Sequence, residues 1–171
     1  MKKMVSSLSK ALLVALLGVF VAAAGACGSN GTSASPDSGT AASGLSRFVG
    51  TWHPTSGSIT YNCSGTTQTD PVVDNLTWGA GVGADLVQTS GTCVFKANVT
   101  ASTASALPSQ SCTEVTGTTT VVLAVAAYTF SLSADGTTAT ESASGTATLS
   151  DSGLTATCTF SGLASYQKIA N

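Results

Sequence analysis

The chain has 171 residues, only 8% of them charged, and a formal net charge of −2 at neutral pH. Six Lys and Arg residues are too few for the clustered cations that neutralise a phosphate backbone, which excludes nucleic acid as a partner. Once terminal segments are set aside, the length allows one domain of ordinary size.

Met1-Lys2-Lys3 and Lys10 make a basic start, and an apolar, small-residue run follows from Ala11 to Ala26. A basic head, an apolar centre and a small-residue end predict a secretory signal over residues 1–26. The run is shorter than the ~20 apolar residues of a spanning helix and dissolves into Gly, Ser and Asn. Ala24-Gly25-Ala26-Cys27 resembles the lipobox of bacterial lipoprotein precursors. That resemblance implies cleavage before Cys27 and lipid on its sulfur, so that a membrane becomes the first partner. Ala24 stands where the pattern usually has Leu. The same residues also satisfy an Ala-x-Ala site for ordinary signal peptidase, which would leave Cys27 unmodified.

Cysteine parity favours the lipid. There are five cysteines, and in an oxidising compartment an odd thiol is a liability. With Cys27 acylated, Cys63, Cys93, Cys112 and Cys158 pair into two disulfides. Residues 27–44 then read as attachment site and tether, since Gly28 to Gly44 contains no large apolar residue. A Gly/Ser-rich coil of this length reaches ~20–25 Å. Acyl chains contribute ~0.8 kcal/mol per buried methylene and hold a protein without a spanning helix. The expected location is the cell envelope, at the outer membrane or cell surface.

Residues 45–171 form the expected domain. Ser and Thr supply about a third of the chain after the signal, and threonine suits the solvent face of a strand. The first strand includes Trp52 and is expected to end near His53-Pro54; Ile59, Tyr61 and Cys63 then share one face. Asp70 and Asp74 flank Pro71-Val72-Val73 and read as solvated turn residues. Gly79-Ala-Gly-Val-Gly-Ala84 satisfies the glycine pattern of dinucleotide-binding turns, but that chemistry needs a helix next. Asp85-Leu86-Val87-Gln88 is strand-like instead, so the glycines read as a loop or bulge.

Ser90-Gly91 reads as a turn into a strand carrying Cys93, Phe95, Ala97 and Val99 on one face. Ala126, Tyr128, Phe130 and Leu132 form another face, followed by an Ala134-Asp135-Gly136 turn. Residues 137–148 predict a weaker strand broken at Gly145. In the last strand Leu154, Ala156, Cys158 and Phe160 oppose Thr155, Thr157 and Thr159. No stretch of the domain carries helical apolar spacing over three turns. About eight short strands predict an all-β domain, a small antiparallel barrel or sandwich stapled by disulfides. If the first and last strands are neighbours, Cys63 meets Cys158, and Cys93 with Cys112 ties the segment holding Leu107 to Gln110. Sequence leaves the two other pairings open.

Phe48-Val49-Gly50-Thr51-Trp52 is similar to the Gly-x-Trp first-strand signature of the lipocalin and fatty-acid-binding proteins. The resemblance implies an up-and-down, lipocalin-like barrel whose end is plugged by Trp52 beneath a basic residue, here Lys168. The arrangement of the whole chain also resembles small lipoproteins of high-GC bacteria, which implies no activity.

No catalytic constellation emerges. His53 is the single histidine, and sequence fixes no carboxylate or nucleophile beside it. One His and four disulfide cysteines do not assemble a metal tetrahedron. No enzyme activity, metal or cofactor is expected. Trp52, Tyr61, Phe95, Tyr128 and Phe160 would line a pocket for a small apolar ligand if the interior is open. With Trp78, they would be simple core if it is filled. The expectation is a non-enzymatic, lipid-anchored binding module, or alternatively an envelope structural module that meets other proteins through its outer face.

Overall fold

The structure, a computed structural model, describes residues 42–90 and 93–171. One turn of helix, α1 (Ala42–Leu45), leads into ten strands. These are β1 (Gly50–Cys63), β2 (Thr66–Pro71), β3 (Leu76–Ala80), β4 (Leu86–Ser90), β5 (Cys93–Thr100), β6 (Thr103–Ala106), β7 (Gln110–Thr116), β8 (Thr119–Leu132), β9 (Thr138–Asp151) and β10 (Leu154–Ala170). The helical turn overlaps the end of the segment read as tether. It is closed by Phe48 N–H donating to the Leu45 carbonyl at 3.0 Å, which delivers Phe48, fully buried, into the core.

Eight of the strands close into an antiparallel barrel in the order β1-β3-β4-β5-β6-β8-β9-β10, with β10 pairing back onto β1. The expected eight strands are therefore the ring, and the barrel rather than the sandwich is realised. β2 and β7 lie outside it. β2 pairs the far half of β1, and β7 pairs the first half of β8. The long strands β1, β8, β9 and β10 thus serve twice. At the end where β1 starts they belong to the closed barrel, and at the other end they form a six-stranded sheet, β7-β8-β9-β10-β1-β2.

Three local expectations are corrected. β1 does not end at His53-Pro54 but runs on to Cys63. Proline lacks the N–H that a ladder needs, and the register shifts between Pro54 and Ser56 opposite Tyr166 and Ser165, so the bulge absorbs it. β9 is not broken at Gly145, which pairs with both Val125 and Phe160. A Cβ there would run into the Ala124 carbonyl oxygen and the Phe160 ring, so glycine serves close approach, not interruption. Ala126 does not share the face of Tyr128, Phe130 and Leu132. A second register shift between Val125 and Ala127 leaves it exposed.

Two clusters fill the interior. In the barrel, Phe48, Trp52, Trp78, Leu86, Phe130 and Tyr166 pack with small residues such as Ala97, Ala104 and Ala164. Phe130 is the hub, with ring centroids 5.2 Å from Trp52, 5.7 Å from Tyr166 and 6.0 Å from Trp78. Edge-on and tilted packing of this kind is favoured by the ring quadrupoles. Beneath the six-stranded sheet, Tyr61, Val121, Ala147, Leu149 and Cys158 form a smaller cluster with Ile59, Leu123 and Phe160 against it. The disulfides follow the expected pairing. Cys63 and Cys158 are directly opposed on β1 and β10, 4.3 Å apart at Cα, and Cys93–Cys112 ties β5 to β7.

Candidate functional site

The end of the barrel where the chain enters is closed by a network of side chains from distant segments. The Trp52 indole N–H donates to the Phe48 carbonyl at 2.9 Å. Lys168 Nζ stands 5.6 Å from the Trp52 ring centroid and donates to the Arg47 carbonyl at 3.1 Å. Arg47 in turn donates to the carbonyls of Ser133 and Ala134 in the β8–β9 turn, at 2.9 and 2.8 Å. The Gly-x-Trp residues and Lys168 therefore meet as their resemblance implied, and the barrel is plugged there.

The five aromatic residues considered for a pocket do not converge. Trp52 and Tyr128 belong to the barrel cluster, whereas Tyr61 and Phe160 face each other at 6.4 Å in the second. Phe95 is half-buried on β5 between Cys93 and Ala97. A cleft of about 320 Å³ opens to solvent among Thr55, Ser131 and Thr140, and it is also lined by the buried core residues Leu132, Ala139 and Tyr166.

Sequence reading missed the most unusual interior group, Glu141. It lies on β9 between the inward-facing Ala139 and Ala143, opposite Phe130 on β8 and Ala164 on β10. The Tyr166 hydroxyl donates to its Oε2 at 2.6 Å. The Tyr128 hydroxyl faces the same carboxyl from β8 without closing a hydrogen bond of good geometry, and the buried Trp78 indole N–H also has no partner among the described residues. Burial raises the Glu141 carboxyl above the ordinary carboxylate range, partly offset by the hydroxyls around it. It also raises Tyr128 and Tyr166, next to the same carboxyl. The domain's cations stand elsewhere: Arg47 and Lys168 at the plug and Lys96 exposed. The only sequence signal was an acidic residue in phase with two inward alanines.

The other candidates separate. Asp70 is no turn residue: it is half-buried on β2 and accepts from Gln68 Nε2 at 3.0 and 3.1 Å. With burial as the larger cause, it helps push the Tyr61 phenol up to about 12. Asp74 is exposed beyond the end of β2, so the two carboxylates make no pair. His53 is exposed, with Nδ1 2.9 Å from the Asn75 side-chain oxygen. Of the glycines of Gly79–Ala84, Gly79 lies in β3 and Gly81 and Gly83 in the loop before β4, so strand stands on both sides and the dinucleotide pattern lacks its helix. Cys93, Cys112 and Glu114 bring possible ligand atoms within 4.8 Å of one another, but both sulfurs are spent in the disulfide.

These features define a closed, disulfide-stapled antiparallel barrel with an aromatic interior and a half-buried carboxyl. Comparison with protein-family profiles, curated proteins and solved structures finds no match.

Proposed function

We propose that the protein is a non-enzymatic lipoprotein of the cell envelope, held through lipid on Cys27, whose β-domain acts as a structural or protein-interaction module with a filled core. The observation that carries this reading is the packing of Trp52, Trp78, Phe130 and Tyr166 around the barrel axis, which occupies the space an apolar ligand would need. The anchor rests on the lipobox-like Ala24–Cys27, on cysteine parity and on the tether that follows. Two disulfides suit an oxidising, exported setting. Among the described residues no helix is long and apolar enough to cross a membrane.

A second reading, a binding module for a small apolar ligand, is favoured by the unpartnered Trp78 N–H and Tyr128 hydroxyl inside the barrel. One titration separates the two. Fatty acids of graded chain length added to the protein should leave tryptophan emission unchanged if the core is filled. A saturable response that depends on chain length sinks the filled-core reading. Cross-linking in intact cells then tests the interaction role, which requires a specific protein partner.

A further inference from the structure

Among the described residues the most exposed large apolar side chain, Val82, stands at one end of the barrel. At the far end the turns Ser64-Gly65, Gly117-Thr118 and Ser152-Gly153 are polar, with Val115 at 67% and Leu154 at 53% exposure beside two of them. At the end where β1 starts, Val82 in the β3–β4 loop is 88% exposed and Ile169 near the end of β10 is 57% exposed, beside exposed polar residues such as Ser46, Asp135 and Thr137. Antiparallel pairing fixes this placement, because β3 descends toward the start of β1 and β4 climbs away from it.

The β3–β4 loop is built to hold its valine outward. Gly81 N–H donates to the Asp85 carbonyl at 3.1 Å, closing the loop. Any Cβ at Gly81 would press on the Ala84 carbonyl, and Gly83 takes a φ of +75° that side chains rarely adopt. The charge nearest the tip is turned away, since the Asp85 carboxylate accepts from Val99 N–H at 2.7 Å on β5. Arg47, Lys168 and Asp135 at the same end are likewise bound to backbone or hydroxyl groups. The glycine run that resembles a dinucleotide turn thus presents an apolar tip with no charged side chain turned toward it.

The chain segment leading back to Cys27 joins the domain at this same end, through α1 and Phe48. Resting on the lipid-anchor reading above, we propose that this end faces the bilayer and that Val82 enters its surface, leaving the six-stranded sheet and its polar turns pointing away. An exposed apolar side chain on a loop without free charge suits the boundary between headgroups and acyl chains, and the tether brings it there.

The mature full-length protein, reconstituted in phosphatidylcholine vesicles with or without brominated acyl chains, provides the test. Native Trp52 and Trp78 are 0% and 2% exposed, so their emission is insulated from the quencher. Val82→Trp should lose about twofold or more of its added emission in brominated vesicles, as contact with the acyl boundary requires. Thr118→Trp, at the opposite end, should lose none. Ile169→Trp repeats the measurement on the same end should the loop variant misfold. Flotation with the vesicles but no quenching at residues 82 and 169, or quenching at 118, overturns the orientation and leaves the anchor standing. Failure to float overturns both. Flotation and quenching of a chain whose intact mass shows no acyl group upholds the apolar tip and removes the anchor.

Discussion

Removing each disulfide alone should destabilise the domain unequally, and the loop lengths give the ratio. Cys63–Cys158 spans 95 residues and Cys93–Cys112 spans 19. Cross-linking removes loop-closure entropy from the unfolded chain in proportion to the logarithm of loop length, giving about 4.7 kcal/mol for the outer bridge and about 3.2 kcal/mol for the inner one. Because the inner bridge shortcuts the outer loop, the outer figure falls by only about 0.2 kcal/mol when the other remains. Against a total of roughly 5–15 kcal/mol, either loss is large. Guanidinium unfolding of Cys63→Ala/Cys158→Ala and Cys93→Ala/Cys112→Ala, compared with the oxidised parent, should therefore rank the outer pair as costlier by roughly 1 kcal/mol. Cys63–Cys158 also pins the β1–β10 seam, which strengthens the same ordering. If the inner pair proved the costlier, constraint of the unfolded chain would not be what these bridges supply. Their role would then lie in local geometry, such as holding β7 against β5.

Three further outcomes follow from the interior. Glu141 has a folded pKa raised by burial, so its contribution is fully present below the unfolded value and is lost as pH rises through the folded one. Glu141→Gln should therefore gain stability relative to the parent at pH 7–8 and little at pH 4, while an equal loss at every pH in urea melts would refute the assignment. All three tyrosines, Tyr61, Tyr128 and Tyr166, are raised by burial, Tyr61 to about 12. Absorbance of tyrosinate should show no ordinary phenol titrating near pH 10, and stability should fall above that pH; one normal transition in the folded protein would contradict the burial of a tyrosine. Trp52→Ala should cost about 3–5 kcal/mol in thermal or denaturant unfolding, as buried aromatics do, because the ring packs on Phe130 and lies under Lys168. A loss below about 1 kcal/mol would mean that the plug is not part of the core.

The strand content and the ring closure were legible because alternation in the chain is nearly undisturbed where one face is buried. Cys93, Phe95, Ala97 and Val99 do share the inner face of β5, and the Cys63–Cys158 pairing follows from β10 returning to β1. What escaped were the places where period two slips. The bulges after Pro54 and Val125 each insert one residue, which kept β1 from being read past His53 and put Ala126 on the wrong face. Leu154 fell in phase with Cys158, yet is 53% exposed beside the β9–β10 turn, where the strand has passed beyond the core. The side strands β2 and β7 are poor in large apolar residues, so nothing in their composition marks them as paired. Glu141 was invisible for a different reason: its interior position needs both neighbouring strands, and an acid in a Thr-rich strand reads as solvent-facing.

The abundance of Ser and Thr finds its explanation in the same topology. On the outer face of the six-stranded sheet, register aligns short polar residues across strands, as in Thr146, Thr159, Asn62 and Thr67 on β9, β10, β1 and β2. Cross-strand hydroxyls meet at 3.2 Å between Thr148 and Thr157 and at 3.0 Å between Thr60 and Thr69. Such pairs support strand pairing by a few tenths to about 1 kcal/mol each while keeping the face polar. The strand interiors of this face carry no charged side chain, since Asp70, Glu114 and Glu141 are half-buried on its other side and Asp151 sits at a strand end. A low charge content and a high hydroxyl content are therefore one design: β-branched threonine holds the strands extended, and its hydroxyl replaces the charge that solvent-facing strands commonly carry.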